Sequence, residues 1–137
     1  MTDSYSVGLG TWRIREKAEV MTALTAAVEA GYRLIDTAAA YCNEMAMGKV
    51  LLGIGARRED LFIQNKVWRT NYGFHEAQEA CKKSLRKMKL DYFDAYLIHW
   101  PEDDELNAET WRGLLELQHE GLVRYVGVSN FKPHHIE

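Results

Sequence analysis

Apolar residues along this 137-residue chain follow two alternating rhythms. Short continuous runs, of the kind that become strands buried on both faces, alternate with stretches whose apolar positions recur every three or four residues, as on one face of a helix. The first run, Val7-Gly8-Leu9-Gly10-Thr11-Trp12, predicts a short strand with glycines where backbone or ligand comes close. Val20, Ala23, Leu24, Ala27 and Val28 predict a helix over residues 16–30, stopped by Gly31. A second strand is predicted over 32–37, then a helix capped by Asn43, with Met47, Val50 and Leu51 as its apolar set. The third strand is placed at 61–67 and the third helix at 75–88, with Ala77, Ala80, Cys81, Ser84, Leu85 and Met88 on one side. Lys82, Lys83, Arg86 and Lys87 form its basic, solvated side. A fourth strand at 93–99 stops before Pro101, and residues 102–105 read as an acidic loop. Asn107 caps the fourth predicted helix, which carries Trp111, Leu114, Leu115 and Leu117 and ends at Gly121. The fifth strand is placed at 123–128, and Pro133 is placed to open a fifth helix.

Strand and helix therefore recur at an interval of about 30 residues, which implies βαβ crossovers and a parallel sheet. An open doubly wound sheet and a closed (β/α)₈ barrel both fit. A nucleotide-binding open sheet calls for GxGxxG after its first strand, whereas this strand carries Gly8-Leu9-Gly10-Thr11-Trp12 with no third glycine. The barrel is favoured.

Composition narrows the class further. With 47 % apolar and 27 % charged residues the chain is that of an ordinary globular protein. A net charge of -3 gives no reason to expect nucleic acid or an anionic membrane as partner. The amino-terminal residues lack the basic and apolar regions of a signal peptide, and no apolar run approaches the roughly 18 residues that span a bilayer. A cytoplasmic location is expected. Cys42 and Cys81 have no paired spacing, so two reduced thiols are expected, Cys81 in the core and Cys42 beside Tyr41. No spacing of His, Cys and carboxylates suggests a metal site.

The chemistry concentrates at strand ends. In (β/α)₈ barrels catalytic residues come from the carboxyl ends of several strands. Asp36, Lys66, His99 and Ser129-Asn130 all occupy such positions, and Tyr41 lies on the loop just after one. Any of these alone is readily a structural residue: a buried Asp bonding backbone amides, a Lys capping a strand, a satisfied core His. Their recurrence at four strands is not.

In order and spacing, GLGTW, GYRLIDTAAAYCNE, REDLFIQNKVW, LDYFDAYLIHWP and GLVRYVGVSNF resemble the successive motifs of the aldo-keto reductase family. The resemblance runs from Val7 to the end of the chain. Cys42 stands where many members have Gly, and Asn65 where Thr is common. The resemblance implies NADPH-dependent reduction of a small-molecule aldehyde or ketone, with the family's tetrad falling on Asp36, Tyr41, Lys66 and His99. Hydride transfer to a carbonyl carbon leaves an alkoxide that must gain a proton. Tyr41 is the implied acid, Lys66 the cation expected to lower its pKa, Asp36 the anchor of Lys66, and His99 the group that orients the carbonyl. Thr11, Ser129 and Asn130, together with Asp36, fall on cofactor positions, and Trp12 and Trp100 on aromatic walls of the substrate pocket.

A barrel of this type needs about 250 residues. Five strands and four helices are legible here, so residues 1–137 are expected to form the N-terminal part of a single barrel domain, a half-barrel. In relatives, the residues that grip the adenosine 2′-phosphate lie in the other half. Three readings follow: a truncated reductase with a complementary C-terminal half, a half-barrel that self-associates through its open sheet edges, and a non-catalytic, nucleotide-sensing or interaction module.

Overall fold

The computed structural model describes residues 7–136; the reading of the amino-terminal segment as carrying no signal peptide falls largely outside them. Five parallel strands lie in sequence order, β1 (Gly8–Gly10), β2 (Leu34–Asp36), β3 (Phe62–Val67), β4 (Phe93–Ile98) and β5 (Val123–Val128). Between them run α1 (Lys17–Glu29), α2 (Glu44–Leu51), α3 (Phe74–Met88) and α4 (Asp104–His119). Strand order equal to chain order, with a helix in every crossover, is barrel topology rather than the reversed order of a doubly wound sheet. Five of a barrel's eight strands are present. Among the described residues no helix is long and apolar enough to cross a membrane.

Register gives the sheet two unlike faces, because directly paired residues of parallel strands point the same way. Ile35, Ile63, Val67, Tyr96 and Ile98 face the helices and are almost wholly buried. Leu24 of α1, Met47 of α2, Met88 of α3 and Leu114 and Leu117 of α4 close over them. Each such side chain contributes on the order of 1.5–3 kcal/mol by leaving water. Leu34, Asp36, Phe62, Gln64, Lys66, Ala95, Leu97, Tyr125 and Gly127 share the opposite face through their register. There Phe62 stacks on Tyr125 across Ala95, with ring centroids 6.2 Å apart, and Tyr125 stays half exposed.

At the amino ends of the strands, Asp94 joins three elements. Its buried carboxylate accepts from Arg58 (2.7 Å), Arg124 (3.0 Å) and the Ile63 N–H (2.9 Å). Both guanidinium groups lie over the Tyr92 ring, at 4.0 and 4.2 Å from its centroid.

Of the two predicted caps, Asn43 holds its N-cap position without a side-chain cap bond, and that of α4 is displaced. Asn43 precedes α2 but makes no cap bond; its side chain reaches across the molecule instead. Helix α4 starts three residues before Asn107, because Asp103 accepts from the Leu106 N–H at 2.9 Å and the acidic stretch forms its first turn, where the helix dipole favours negative charge. Asn107 bonds back to the N–H and the carbonyl of Glu102. After β5, residues Pro133–His135 form a single 3₁₀ turn where a fifth helix is predicted to open.

Candidate active site

The site lies where β2, β3, β4 and β5 end. Asp36 is the last residue of β2, and its Oδ1 accepts from Lys66 Nζ of β3 at 2.5 Å. The same ammonium donates to the Thr37 carbonyl at 3.0 Å. The Lys66 side chain is 6 % exposed and that of Asp36 27 %, so the ion pair is held largely out of water. Thr11, predicted on the cofactor side, is buried and gives both its N–H and its hydroxyl to the Asp36 carbonyl, each at 3.0 Å.

Tyr41 ends a 3₁₀ turn, Ala39–Tyr41, that folds the β2 exit back over the site. Cys42 follows in the left-handed region, at φ 58°, which turns the chain into α2. The turn is pinned by Asn43, whose buried amide donates to the carbonyls of Thr11 (3.1 Å) and Ile14 (2.9 Å) and accepts from the Thr37 hydroxyl (2.9 Å). One side chain thus ties the β1 exit to the β2 exit. The Tyr41 ring stands edge-on to His99, with centroids 5.8 Å apart, and Lys66 Nζ lies 5.5 Å from its centre. Among the described residues its hydroxyl has no hydrogen-bond partner.

The Tyr41 phenol is shifted opposite to the expectation. Burial, and after it the Asp36 carboxylate, push it above its ordinary value near 10. Burial is the larger cause, and Lys66, which gives its proton contacts to Asp36 and Thr37, does not reverse it.

His99 follows β4 in an aromatic cage. Trp68 meets it edge-on at 5.1 Å and Trp100 lies nearly parallel at 6.5 Å. Burial, then the nearby Lys66, lowers its pKa to about 4, so the imidazole is neutral near pH 7. Nδ1 is enclosed and has no partner, which leaves Nε2 as the nitrogen a ligand can reach. Tyr72 fixes the next residue: its hydroxyl donates to the Trp100 carbonyl (2.7 Å) and accepts from the Trp100 N–H (3.0 Å).

Ser129 and Asn130 leave β5 beside this cluster. Asn130, at φ 63°, donates to the His99 carbonyl (2.8 Å) and to Ser129 Oγ (3.1 Å). Among the described residues the Ser129 hydroxyl proton and Asn130 Oδ1 remain unused, a donor and an acceptor that complement a carboxamide. Trp12 is 63 % exposed beneath the Arg13 guanidinium, away from the packed group, and Trp100 is 39 % exposed. The fold thus gathers Asp36, Tyr41, Lys66, His99, Ser129 and Asn130. Sequence reasoning missed Gln64, Asn43, Trp68 and Tyr72 as supports; of these Gln64 and Trp68 carried a signal, each lying two residues from Lys66. No group of three or more His, Cys, Asp or Glu able to hold a metal occurs among the described residues.

Residues 6–137 match the Aldo/keto reductase family. The chain is 46 % identical over 132 residues to methylglyoxal reductase DkgA of Escherichia coli (strain K12), covering 96 % of this chain and 47 % of that protein. It is 45 % identical over 130 residues to glyoxal reductase of Bacillus subtilis (strain 168), covering 95 % and 47 %. The solved Bombyx mori aldo-keto reductase in complex with NADP superposes with a TM-score of 0.86 at 37 % identity, over 95 % of this chain and 48 % of that one. The chain spans about half the length of the curated relatives it matches.

Proposed function

Because the chain belongs to the aldo/keto reductase family, we propose that its strand-end site reduces aldehydes or ketones to alcohols with NADPH, as the N-terminal part of one barrel domain. The convergence of Asp36, Tyr41, Lys66 and His99 from β2, the following turn, β3 and β4 carries this reading.

The residues present fit a nicotinamide cofactor. Ser129 and Asn130 would hold its carboxamide through the unused donor and acceptor, with Thr11 and Asp36 shaping the floor beneath. The cofactor, when bound, supplies the hydride.

The chain's own part is to place the carbonyl and deliver a proton. Neutral His99 donates from one ring nitrogen to the carbonyl oxygen and orients it. Tyr41, protonated well past neutral pH because its pKa is raised, gives its hydroxyl proton to the developing alkoxide. Asp36 keeps Lys66 in place next to the phenol. Trp100, with Trp12 at the rim, would wall the substrate. The relatives' names make methylglyoxal and glyoxal the first compounds to try.

A second reading is a reductase-like module that senses a nucleotide or binds a partner without turnover. The two separate cleanly. NADPH oxidation is followed with a panel of aldehydes and ketones, and NADPH binding by fluorescence of the four tryptophans. A positioned acid is worth about 10²–10⁴ in rate, so Tyr41→Phe should remove that factor. Unchanged reduction in Tyr41→Phe overturns Tyr41's role, and binding without turnover of any carbonyl selects the second reading.

A further inference from the structure

The inward face of β3 carries a polar side chain that the tetrad does not use. Gln64 sits two residues before Lys66, so both point to the same side of the sheet. Its register partners are Asp36 on β2 and Ala95 on β4. Gln64 Nε2 donates to Asp36 Oδ1 at 2.6 Å. That oxygen also receives Lys66 Nζ, at 2.5 Å. Two donors from one strand, one rung apart, thus converge on a single carboxylate oxygen, while Asp36 Oδ2 has no partner among the described residues. The amide orientation is set by chemistry: facing a carboxylate, the NH₂ and not the carbonyl must point inward.

Nothing local asks for glutamine here. The other side chains on this part of the inner face, Leu34, Phe62, Ala95 and Leu97, are apolar, and an aliphatic residue would pack there as well. A carboxylate held by one donor can turn about its Cβ–Cγ bond and offer either oxygen. Held by two donors at the same oxygen, one of them on its own rung, it cannot turn without breaking both bonds. Lys66 is then kept between Asp36 Oδ1 and the Thr37 carbonyl, 5.5 Å from the centre of the Tyr41 ring.

We propose that Gln64 is a positioning residue for carbonyl reduction, which locks the Asp36 carboxylate from the same rung of the neighbouring strand and thereby fixes Lys66 beside Tyr41. Gln64 acts through Asp36, its only bond toward the site among the described residues. This rests on the reductase reading above, but the geometric part can be tested without turnover.

The experiment uses the full protein and two near-isosteric variants. Gln64→Met keeps the volume and removes the donor. Gln64→Glu keeps the shape and donates only when protonated. The charged groups facing position 64 are Asp36 from β2 and Lys66 from β3, while β4 presents Ala95. In the wild type the Lys66 ammonium should give a slowly exchanging NMR signal through its bonds to Asp36 and Thr37. In Gln64→Met this signal should broaden or vanish, and kcat should fall about tenfold, the equivalent of one charge-assisted hydrogen bond, with KM for the carbonyl unchanged. Gln64→Glu should behave like Gln64→Met at neutral pH and regain rate and signal on acidification, a limb that Gln64→Met lacks. An unaltered Lys66 signal in Gln64→Met, or pH profiles of the two variants that run parallel, overturns the proposal. Full reduction by Tyr41→Phe alongside a lost Lys66 signal in Gln64→Met would instead overturn the reductase assignment of Tyr41 and leave the lock standing.

Discussion

Removing either member of the Asp36–Lys66 pair should cost different amounts, because the two ions are not equally buried. Breaking a buried pair by deleting one partner typically costs about 3–5 kcal/mol, mostly from the charge left behind. Asp36→Ala leaves Lys66, 6 % exposed, with only the Thr37 carbonyl as a polar partner. Its cost belongs at that scale, about 3–4 kcal/mol. Lys66→Met keeps the aliphatic stem and leaves Asp36, 27 % exposed, still bonded to Gln64. Partial hydration and a surviving donor bring the cost down to about 1–2 kcal/mol. For a chain of this size roughly 4 °C of Tm accompanies each kcal/mol, so Asp36→Ala should melt about 12–16 °C lower and Lys66→Met about 4–8 °C lower. The double variant leaves no unpaired ion and should lose less than the sum by about 1–3 kcal/mol, the usual range for residues in direct contact. Urea titration followed by tryptophan fluorescence measures all three, with a constant m confirming that only stability has changed. Lys66→Met costing as much as Asp36→Ala, or strict additivity in the double variant, would refute the burial argument.

Acidification should weaken the fold through His99. Its pKa is lowered to about 4 in the folded chain, so between its ordinary value near 6.5 and about 4 the unfolded chain binds a proton that the folded chain refuses. That contribution is fully present above 6.5 and fades as pH falls toward 4; His99→Gln, compared with wild type in Tm against pH, should lack it. Gly48 of α2 presents its α-carbon to the Met88 backbone, and a Cβ there would fall 2.6 Å from it. Gly48→Ala should therefore cost about 1–3 kcal/mol by overpacking, read as a lower urea midpoint. Reduction should also persist to alkaline pH, since the Tyr41 proton is lost only above its ordinary value near 10, and a rate that falls with an apparent pKa near neutrality would contradict this.

What the sequence made legible follows from which forces act locally. All five strands and four helices were readable because burial on one side writes its period into the chain, and β5 matched its predicted bounds at 123–128. Asp36, Lys66 and His99 were readable because strand ends are where this topology collects chemistry. Asn43 stands at the predicted N-cap of α2, but its side chain was misread, because a capping residue and a long-range tether look alike in one dimension: its partners Thr11 and Ile14 lie 32 and 29 residues away. The start of α4 was misplaced because an acidic run suits a solvated loop and the positive end of a helix dipole equally. Gln64 shares the face of Lys66 by its spacing of two, but that spacing does not name its partner Asp36, 28 residues earlier.

In the proposed step, burial and Asp36 raise the Tyr41 pKa, and Lys66, 5.5 Å from the ring centre, is the cation that would oppose them. Before reaction, the Asp36 and Lys66 charges oppose each other, His99 is neutral and Tyr41 is protonated, so the site carries no net charge toward a neutral carbonyl. A low phenol pKa would then only deplete the acid. After transfer the phenolate lies 5.5 Å from Lys66 Nζ, measured to the ring centre. At an effective dielectric of about 20, that attraction is worth about 3 kcal/mol, reduced by the repulsion from Asp36. In the proposed step this attraction is part of the phenol–phenolate difference that the pKa records, so Lys66 would offset burial and Asp36 rather than act apart from them, and only while held between Asp36 Oδ1 and the Thr37 carbonyl. On this proposal the value of the cation lies in its position, so the residues that fix Asp36 would matter to a reaction they do not touch.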